Sequence, residues 1–359
     1  MGVVSGNISV IRGSTSLILF VRIFWKPLTG LQDLQDKLIS IIERFGEQRI
    51  VILGDAIADK FLHGAISRVS REAPVFILRH QHTETLPGGA ANCAMNLVAL
   101  GARVSLISVT GCDESGSELR AKLEAAGVNI EGVVVSEKVQ TTTKVRILAG
   151  QSHSSKQQVI RIDYEGAPLN DEEVRSAIVD RLEQIIKGAN ACVISDYNYG
   201  VVDARAAELI RKAADVPVLV DSRFRLSEFT GFTAATPNQE EVENLVGTED
   251  LETAAQELKK RLNHHALLVT RGNQGMTLLE GDAAPVHIPA VGAQQAVDVT
   301  GAGDTVIATF ALALASGASF ADAARLANYA GGLVVMKRGT ATVSAAELKH
   351  AVSTDENNP

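Results

Sequence analysis

Apolar residues recur along this chain in two rhythms. Leu31, Leu34, Leu38, Ile41, Ile42 and Phe45 fall at helical spacing, so 31–46 is predicted to be an amphipathic helix. Arg49–Leu53 and Val104–Val109 read as short apolar strands, the first running into Gly54-Asp55. Between them, Leu86-Pro-Gly-Gly-Ala-Ala-Asn92 opens an Ala-rich helix ending at Gly101, and Glu118–Ala126 is a further helix stopped by Gly127. From Asp171 onward, helices (171–187, 203–214) alternate with apolar strands (191–194, 216–220, 266–270). This alternation predicts βαβ units, and hence an α/β fold with a mostly parallel sheet and helices on both faces. Two β-rich insertions, 60–85 and 141–165, break the rhythm; the second contains two runs around a polar turn at 151–155. They are expected to pair as a small β lid over one edge of the site. No internal repeat or low-complexity linker occurs, so 31–353 reads as one domain, between an extension (1–30) and a tail (354–359).

The most pointed chemistry lies near the C-terminus. Gly301-Ala302-Gly303-Asp304 opens directly into an apolar run, Val306–Leu314, closed by Gly317. That pattern predicts a buried helix whose first turn is 301–304. The first N–H groups of a helix lack internal partners and carry the positive end of the dipole. Without side chains at Gly301 and Gly303, an anion can approach them closely. The Asp304 carboxylate would repel that anion unless it has a task, such as taking a proton from an attacking group.

Composition narrows the classes. A net charge of −8 argues against a nucleic-acid-binding surface. Cys93, Cys112 and Cys192 are odd in number and far apart, which fits buried thiols in a reducing cytoplasm better than a disulfide frame or a zinc site. Ser16–Trp25 is apolar but short and interrupted by Arg22, while a membrane-spanning helix needs about 20 apolar residues. It also lacks a small-residue cleavage pattern, so 1–30 is read as a poorly ordered extension or a misplaced start, without stable membrane insertion.

Open α/β sheets bind ligands at the carboxyl ends of their strands. Asp55 and Asp59 follow the first strand, Ser195-Asp196-Tyr197 follow 191–194, and Asp221-Ser222-Arg223 follow 216–220. Thr236-Pro-Asn238-Gln239-Glu240-Glu241 follow Ala235, and Thr270-Arg271-Gly272 end the strand at 266–270. So many acidic and amide groups at one sheet edge, beside an anion hole, suit hydroxyls, phosphate and Mg²⁺. Each residue also has a structural alternative. Asp55 or Asp59 could be a turn residue, Asp196 a cap, and Asn238 an N-cap with Glu241 completing a capping box. Gly88-Gly89 could be a plain helix entry, and Asn92 and Asn96, one turn apart, could face solvent. His264-His265 reads as the end of a helix. No GxxxxGK[ST] or HExxH occurs, and Gly301-Ala-Gly303 lacks the third glycine of a dinucleotide fingerprint.

Asp298-Val-Thr-Gly-Ala-Gly-Asp304, Pro87-Gly-Gly-Ala-Ala-Asn92 and Asn238-Gln-Glu-Glu241 together resemble the signatures of the ribokinase-like (PfkB) sugar kinases, over roughly residues 48–350. Gly54–Asp59, Ser67–Val75, Ile160–Glu165 and Ser195–Tyr197 are similar, more narrowly, to the kinase part of ADP-heptose synthesis. Those enzymes phosphorylate D-glycero-β-D-manno-heptose 7-phosphate at its anomeric hydroxyl. The resemblance implies a three-layer sandwich and a sugar or sugar-phosphate substrate, with ATP, Mg²⁺ and in several relatives K⁺. It implies Asp304 as base, with the Gly301, Ala302 and Gly303 amides stabilising the transferring phosphoryl. It further implies Asp59, Gly88, Gly89, Asn92 and Asp196 at the sugar, with Lys144 and Arg146 at its phosphate. Asn238, Gln239, Glu240, Glu241, Thr270, Gly272 and Asn328 would serve ATP, Asn238 and Glu241 would hold Mg²⁺ through water, and Asp298 a monovalent cation. A homodimer through the lid is common in the family.

Three positions depart from the heptose kinases. Tyr199 stands where lysine is expected, and Ser222-Arg223 where Pro-Lys is expected. Arg223 keeps the charge without the ammonium geometry, and Tyr199 removes one positive charge. The sequence stops at Pro359, so a nucleotidyltransferase half, fused in many relatives, is not expected within it. The alternatives are a ribose- or fructose-type kinase of the same family, or a catalytically silent regulator.

Overall fold

The computed structural model describes residues 32–150, 156–213, 215–248, 250–292 and 295–355. The expectations for 1–30, for the turn at 151–155 and for the last four tail residues lie outside the described residues.

In chain order the elements are α1 (32–43), β1 (Arg49–Gly54), β2 (Ala56–Val69), β3 (Phe76–Gly89), α2 (Ala90–Ala99), β4 (Arg103–Gly111) and α3 (Glu114–Ala125). Then follow β5 (Val133–Ser136), β6 (Thr143–Gly150), β7 (Gln157–Tyr164), α4 (Glu172–Ile185), β8 (Ala191–Asp196), α5 (Ala204–Ala213), β9 (Val218–Ser222) and β10 (Ala234–Ala235). The last third holds α6 (Gln239–Val246), α7 (Leu251–Leu262), β11 (Ala266–Thr270), β12 (Met276–Glu280), β13 (Val286–Ile288), α8 (Ala302–Ala315), α9 (Phe320–Val334) and α10 (Ala345–Thr354).

Strand β1 shows why two helical layers are needed. Its alternate residues point to opposite faces, and all four apolar ones are buried: Ile50 and Ile52 in one core, Val51 and Leu53 in the other. The first core contains residues of α1, α2, α3, α8, α9 and α10, and the second residues of α4, α5, α6 and α7. Among the described residues, nine strands lie between them in the order β13-β12-β11-β10-β9-β8-β1-β4-β5. All neighbours from β11 to β5 are parallel, and β12 and β13 close one edge antiparallel. Helix α8 runs through the first core with every residue from Asp304 to Ala313 buried, so its polar first turn points out at one end only.

The insertions form a second sheet, ordered β3-β2-β6-β7. The first of them is longer than its weak alternation suggested. It is a single hairpin from Ala56 to Gly89, so Pro87-Gly88-Gly89 end a strand before they lead into α2. Helix α3 begins four residues ahead of Glu118, because Asp113 caps it by accepting the Gly116 N–H at 2.8 Å. The helix before His264 ends instead at Leu262, with Asn263 left-handed at φ 52°. His264 lies beyond it, buried, its ring 2.8 Å from the Phe229 carbonyl. Strands β5, β12 and β13 and helices α9 and α10 have no counterpart in the sequence reading.

Candidate active site

Strand ends, the start of α8 and the lid enclose a cleft of about 890 Å³. Asp304 lies at its floor, 4% exposed. The Asn92 amide donates to its Oδ2 at 2.8 Å, and the Tyr197 hydroxyl donates to its Oδ1 at 3.0 Å. Burial pushes the carboxyl up to about 7; those two donors oppose the shift and the nearby Asp59 charge adds to it. Asn92 and Asn96 do not face solvent. Both are buried, Asn96 donates to Asn92 O at 3.0 Å, and Thr305 donates to Asn96 Oδ1 at 3.0 Å, which fastens α2 to α8.

The two glycines beside Asp304 have different reasons. Gly301 is the N-cap at φ 75°, and a Cβ there would overlap the Asn92 amide nitrogen. At Gly303 the nearest group to an added Cβ is Asp221 Oδ2 at 4.0 Å, so the missing side chain leaves open space on the cleft side. That space, at the N-terminus of a fourteen-residue helix with Ala302 as its first member, fits a phosphate group.

The sugar-side expectations separate on inspection. Asp59 is buried on β2 and ion-paired with Arg146, whose guanidinium lies 5.4 Å from the Phe61 ring. Gly88 makes room for that carboxylate, since a Cβ would overlap it, and Gly89 turns the chain at φ 57°. Lys144 comes from β6, half-buried, with its ammonium 5.9 and 5.7 Å from the Tyr197 and Tyr199 rings and 4.0 Å from Glu165. Burial lowers its pKa from the usual lysine range. Arg161, Arg223 and Lys144 line both the main cleft and a 470 Å³ side pocket, making a cationic end. Arg146, committed to Asp59, does not line that side pocket. Asp196 does not offer a free carboxylate: it is buried, ion-paired with Arg225, and accepts from the Ser222 hydroxyl at 2.6 Å.

The opposite end is acidic. Asn238 and Glu241 form a complete capping box, with Glu241 N donating to Asn238 Oδ1 at 2.9 Å and Asn238 N to Glu241 Oε2 at 3.0 Å. They line the cleft nonetheless, together with Gln239 and Glu240. Burial raises the Glu241 pKa, and burial with the Asp304 and Glu241 charges pushes Asp221 well up. Carboxyls packed this closely hold protons or attract a cation. Beside them the buried Thr236 Oγ1 has no hydrogen-bond partner among the described residues. Among the described residues no three His, Cys, Asp or Glu side chains converge as a metal cage.

Thr270 and Gly272 line both the cleft and an adjoining 220 Å³ pocket of mostly apolar residues that also includes Asn328. Asn328 donates to the Pro289 carbonyl at 2.7 Å. Asp298 lies outside the cleft lining and accepts the Thr300 and Gly339 N–H groups, each at 2.9 Å, which with its other hydrogen bonds holds its pKa down against burial. The strand-end rule named Tyr197, Asp221 and Thr236 but assigned them no role, and it did not reach Arg161, which sits mid-strand in β7.

No helix among the described residues is long and apolar enough to cross a membrane. Residues 48–347 match the family described as pfkB family carbohydrate kinase. The chain is 42% identical over 317 residues to the bifunctional protein HldE of Alcanivorax borkumensis, an alignment covering 87% of this chain and 65% of that protein. HldE of Caulobacter vibrioides is 40% identical over 337 residues, covering 91% and 68%. The chain therefore spans about two thirds of the length of these relatives. Phosphofructokinase-2 of Escherichia coli, in complex with substrates and products, superposes with a TM-score of 0.70 at 22% identity, covering 85% of this chain and 98% of that one. Ribokinase of Arabidopsis thaliana, complexed with ribose and ATP, gives 0.67 at 22%, covering 86% and 99%. At that identity the structures establish a ribokinase-like α/β fold. The match over 300 residues, with relatives 40% identical or more, establishes the rest: the chain belongs to the pfkB family of carbohydrate kinases, phosphotransferases that act on an alcohol group of a sugar.

Proposed function

We propose that this chain transfers the γ-phosphoryl group of ATP to the anomeric hydroxyl of D-glycero-β-D-manno-heptose 7-phosphate, a step towards ADP-heptose and the lipopolysaccharide core. The observation that carries the chemistry is Asp304, a buried carboxylate with a pKa near 7 in the first turn of α8, beside amides left open by Gly303. Such a group takes a proton from a sugar hydroxyl near neutral pH. The amides of Gly301, Ala302 and Gly303 hold the charge of the moving phosphoryl. Asp59 faces the sugar from the lid, Gly88 and Gly89 shape that wall, and Asn92 holds the base. Lys144, Arg161 and Arg223 face the phosphate the substrate already carries. Asn238, Gln239, Glu240, Glu241 and Asp221 fit the acidic wall around Mg²⁺, whose charge would offset that of the ATP phosphates. Thr270, Gly272 and Asn328 border the nucleoside pocket, and Asp298 draws the loops around α8 together, where K⁺ would bind.

The heptose assignment rests on the identity to HldE and on the cationic end of the cleft. One observation favours a second reading, another sugar or sugar phosphate: Tyr199 replaces a cation and pairs its hydroxyl with Glu165. Exposed apolar side chains on the lid, among them Phe76, Val159, Ile160 and Ile162, support pairing of two copies through that sheet. The test is ATP consumption with Mg²⁺ against a panel of sugars and sugar phosphates. Turnover confined to heptose 7-phosphate is expected; turnover only on unphosphorylated sugars overturns the substrate, and none on any sugar favours a regulator.

A further inference from the structure

Asp55 is a buried carboxylate that the phosphotransfer chemistry leaves without a task. It sits at the end of β1, 2% exposed, and its side chain collects three consecutive alternate amides: Tyr197 N at 2.8 Å, Tyr199 N at 3.2 Å and Val201 N at 3.2 Å. Its main chain accepts the Ala90 N–H at 3.0 Å and donates to Ser195 O at 3.1 Å. One residue thus ties the start of α2, which carries Asn92, to the loop after β8, which carries Tyr197. That loop is bent for the purpose. Asn198 and Gly200 are left-handed, at φ 65° and 93°, which turns successive N–H groups towards one concavity, and the carboxylate fills it.

The loop's other product is the Tyr197 hydroxyl on Asp304. We propose that Tyr197 is a positioning residue for the base, its hydroxyl fixing Oδ1 while Asn92 fixes Oδ2, and that Asp55 is the anchor that keeps Tyr197 there. This rests on Asp304 being the base. A carboxylate with two oxygens pinned from opposite sides cannot rotate, so one lone-pair direction stays aimed into the cleft. Burial and the neighbouring Asp304 and Asp221 charges push the phenol far above its usual range, so it remains a donor throughout. Besides Tyr197 and Asn92, the groups facing Asp304 are Cys93 from α2, Asp59 from β2 and Asp221 from β9, with Lys144 of β6 across the Tyr197 ring. Of these the Asp59 charge disfavours its ionised form, and the two donors favour it.

Tyr197→Phe in the full chain keeps the ring under Lys144 and removes only the hydroxyl. With one donor gone the ionised carboxylate is less favoured, so the acid limb of kcat against pH should move up by about one unit. At pH 7 kcat should fall about fivefold, with KM for the accepted sugar changed less than about twofold. Asp55→Asn should shift the limb in the same direction, by less. If Asp55→Asn does not fold, Tyr197→Phe still decides. An unchanged limb and kcat in a folded Tyr197→Phe protein overturns the proposal, and so does a loss of Tm and activity with the limb unmoved. Asp304→Asn separates the two layers. If it is inactive while Tyr197→Phe behaves as wild type, only the positioning fails; if it stays active, the base assignment itself fails.

Discussion

The two ends of the acceptor site are built on opposite principles. At the base, Asp304, Asn92, Asn96, Thr305 and Tyr197 are buried and joined by hydrogen bonds that bridge α2, α8 and the loop after β8. At the cationic end, Lys144 and Arg161 stand on lid strands and Arg223 follows β9, with partners drawn from half-exposed carboxylates such as Glu165 and Asp163. In a buried network an unmet donor or acceptor costs about 1–3 kcal/mol, so the arrangement tolerates one geometry. Exposed ion pairs contribute about 0–1 kcal/mol, and their partners can be exchanged at little cost. Under the proposed function, the chemistry is held by the rigid end, and the choice of substrate is left to the adjustable one.

Substitutions at each end should break different parameters. The largest effect is expected from Asp304→Asn, which keeps the shape and removes the proposed base: kcat should drop about 10²–10⁴-fold with KM nearly unchanged, read by steady-state kinetics on a protein whose Tm stays within a few degrees of wild type. As the proposed base, the same carboxylate must be ionised to act in the unaltered chain. Because its pKa is raised to about 7, kcat should be at its plateau above that value and fall as pH drops through it. A flat profile between pH 5.5 and 8.5 would contradict this.

Next in size, Arg161→Ala and Arg223→Ala should raise KM for a phosphorylated sugar about tenfold each, with kcat altered far less, since a charge-assisted phosphate contact is worth about 1.5–3 kcal/mol. Loss of kcat with unchanged KM would place these residues in the transition state instead. The smallest expected effect is a gain. Tyr199→Lys adds an ammonium beside Glu165 and the side pocket, and should lower KM for heptose 7-phosphate by about two- to fivefold. An increase in KM would show that the Tyr199 ring, not a cation, is what this chain needs under Lys144.

Much of this molecule could be read from the linear chain because the signals are local. Alternating apolar strands and helices report both-face burial, and Asn238 to Glu241 announced a capping box that the structure contains. The glycines at 301 and 303 likewise marked a helix start before an apolar run. The hairpin from Ala56 to Gly89 was legible only in part, since its outer half is exposed on both faces and its alternation carries little burial signal. The side-chain partners of Asp196, Arg146 and Asn92 were not legible. Whether a carboxylate at a strand end meets a ligand, or is consumed by Arg225 from 29 residues further along, depends on packing that no spacing rule reports.

The alternation of strands and helices, the sheet's mostly parallel run, the helix start at Gly301 and the presence of a carboxylate there follow from the sequence alone, since propensity and periodicity act over a few residues. Tertiary structure decided what that carboxylate is. Asn92 is 212 residues away from Asp304 and Tyr197 is 107 away, yet both donate to it. Burial, which raises its pKa, is a property of the assembled core. A side chain's charge and reach are written in its covalent structure, whereas its solvent and its partners exist only once the chain has folded.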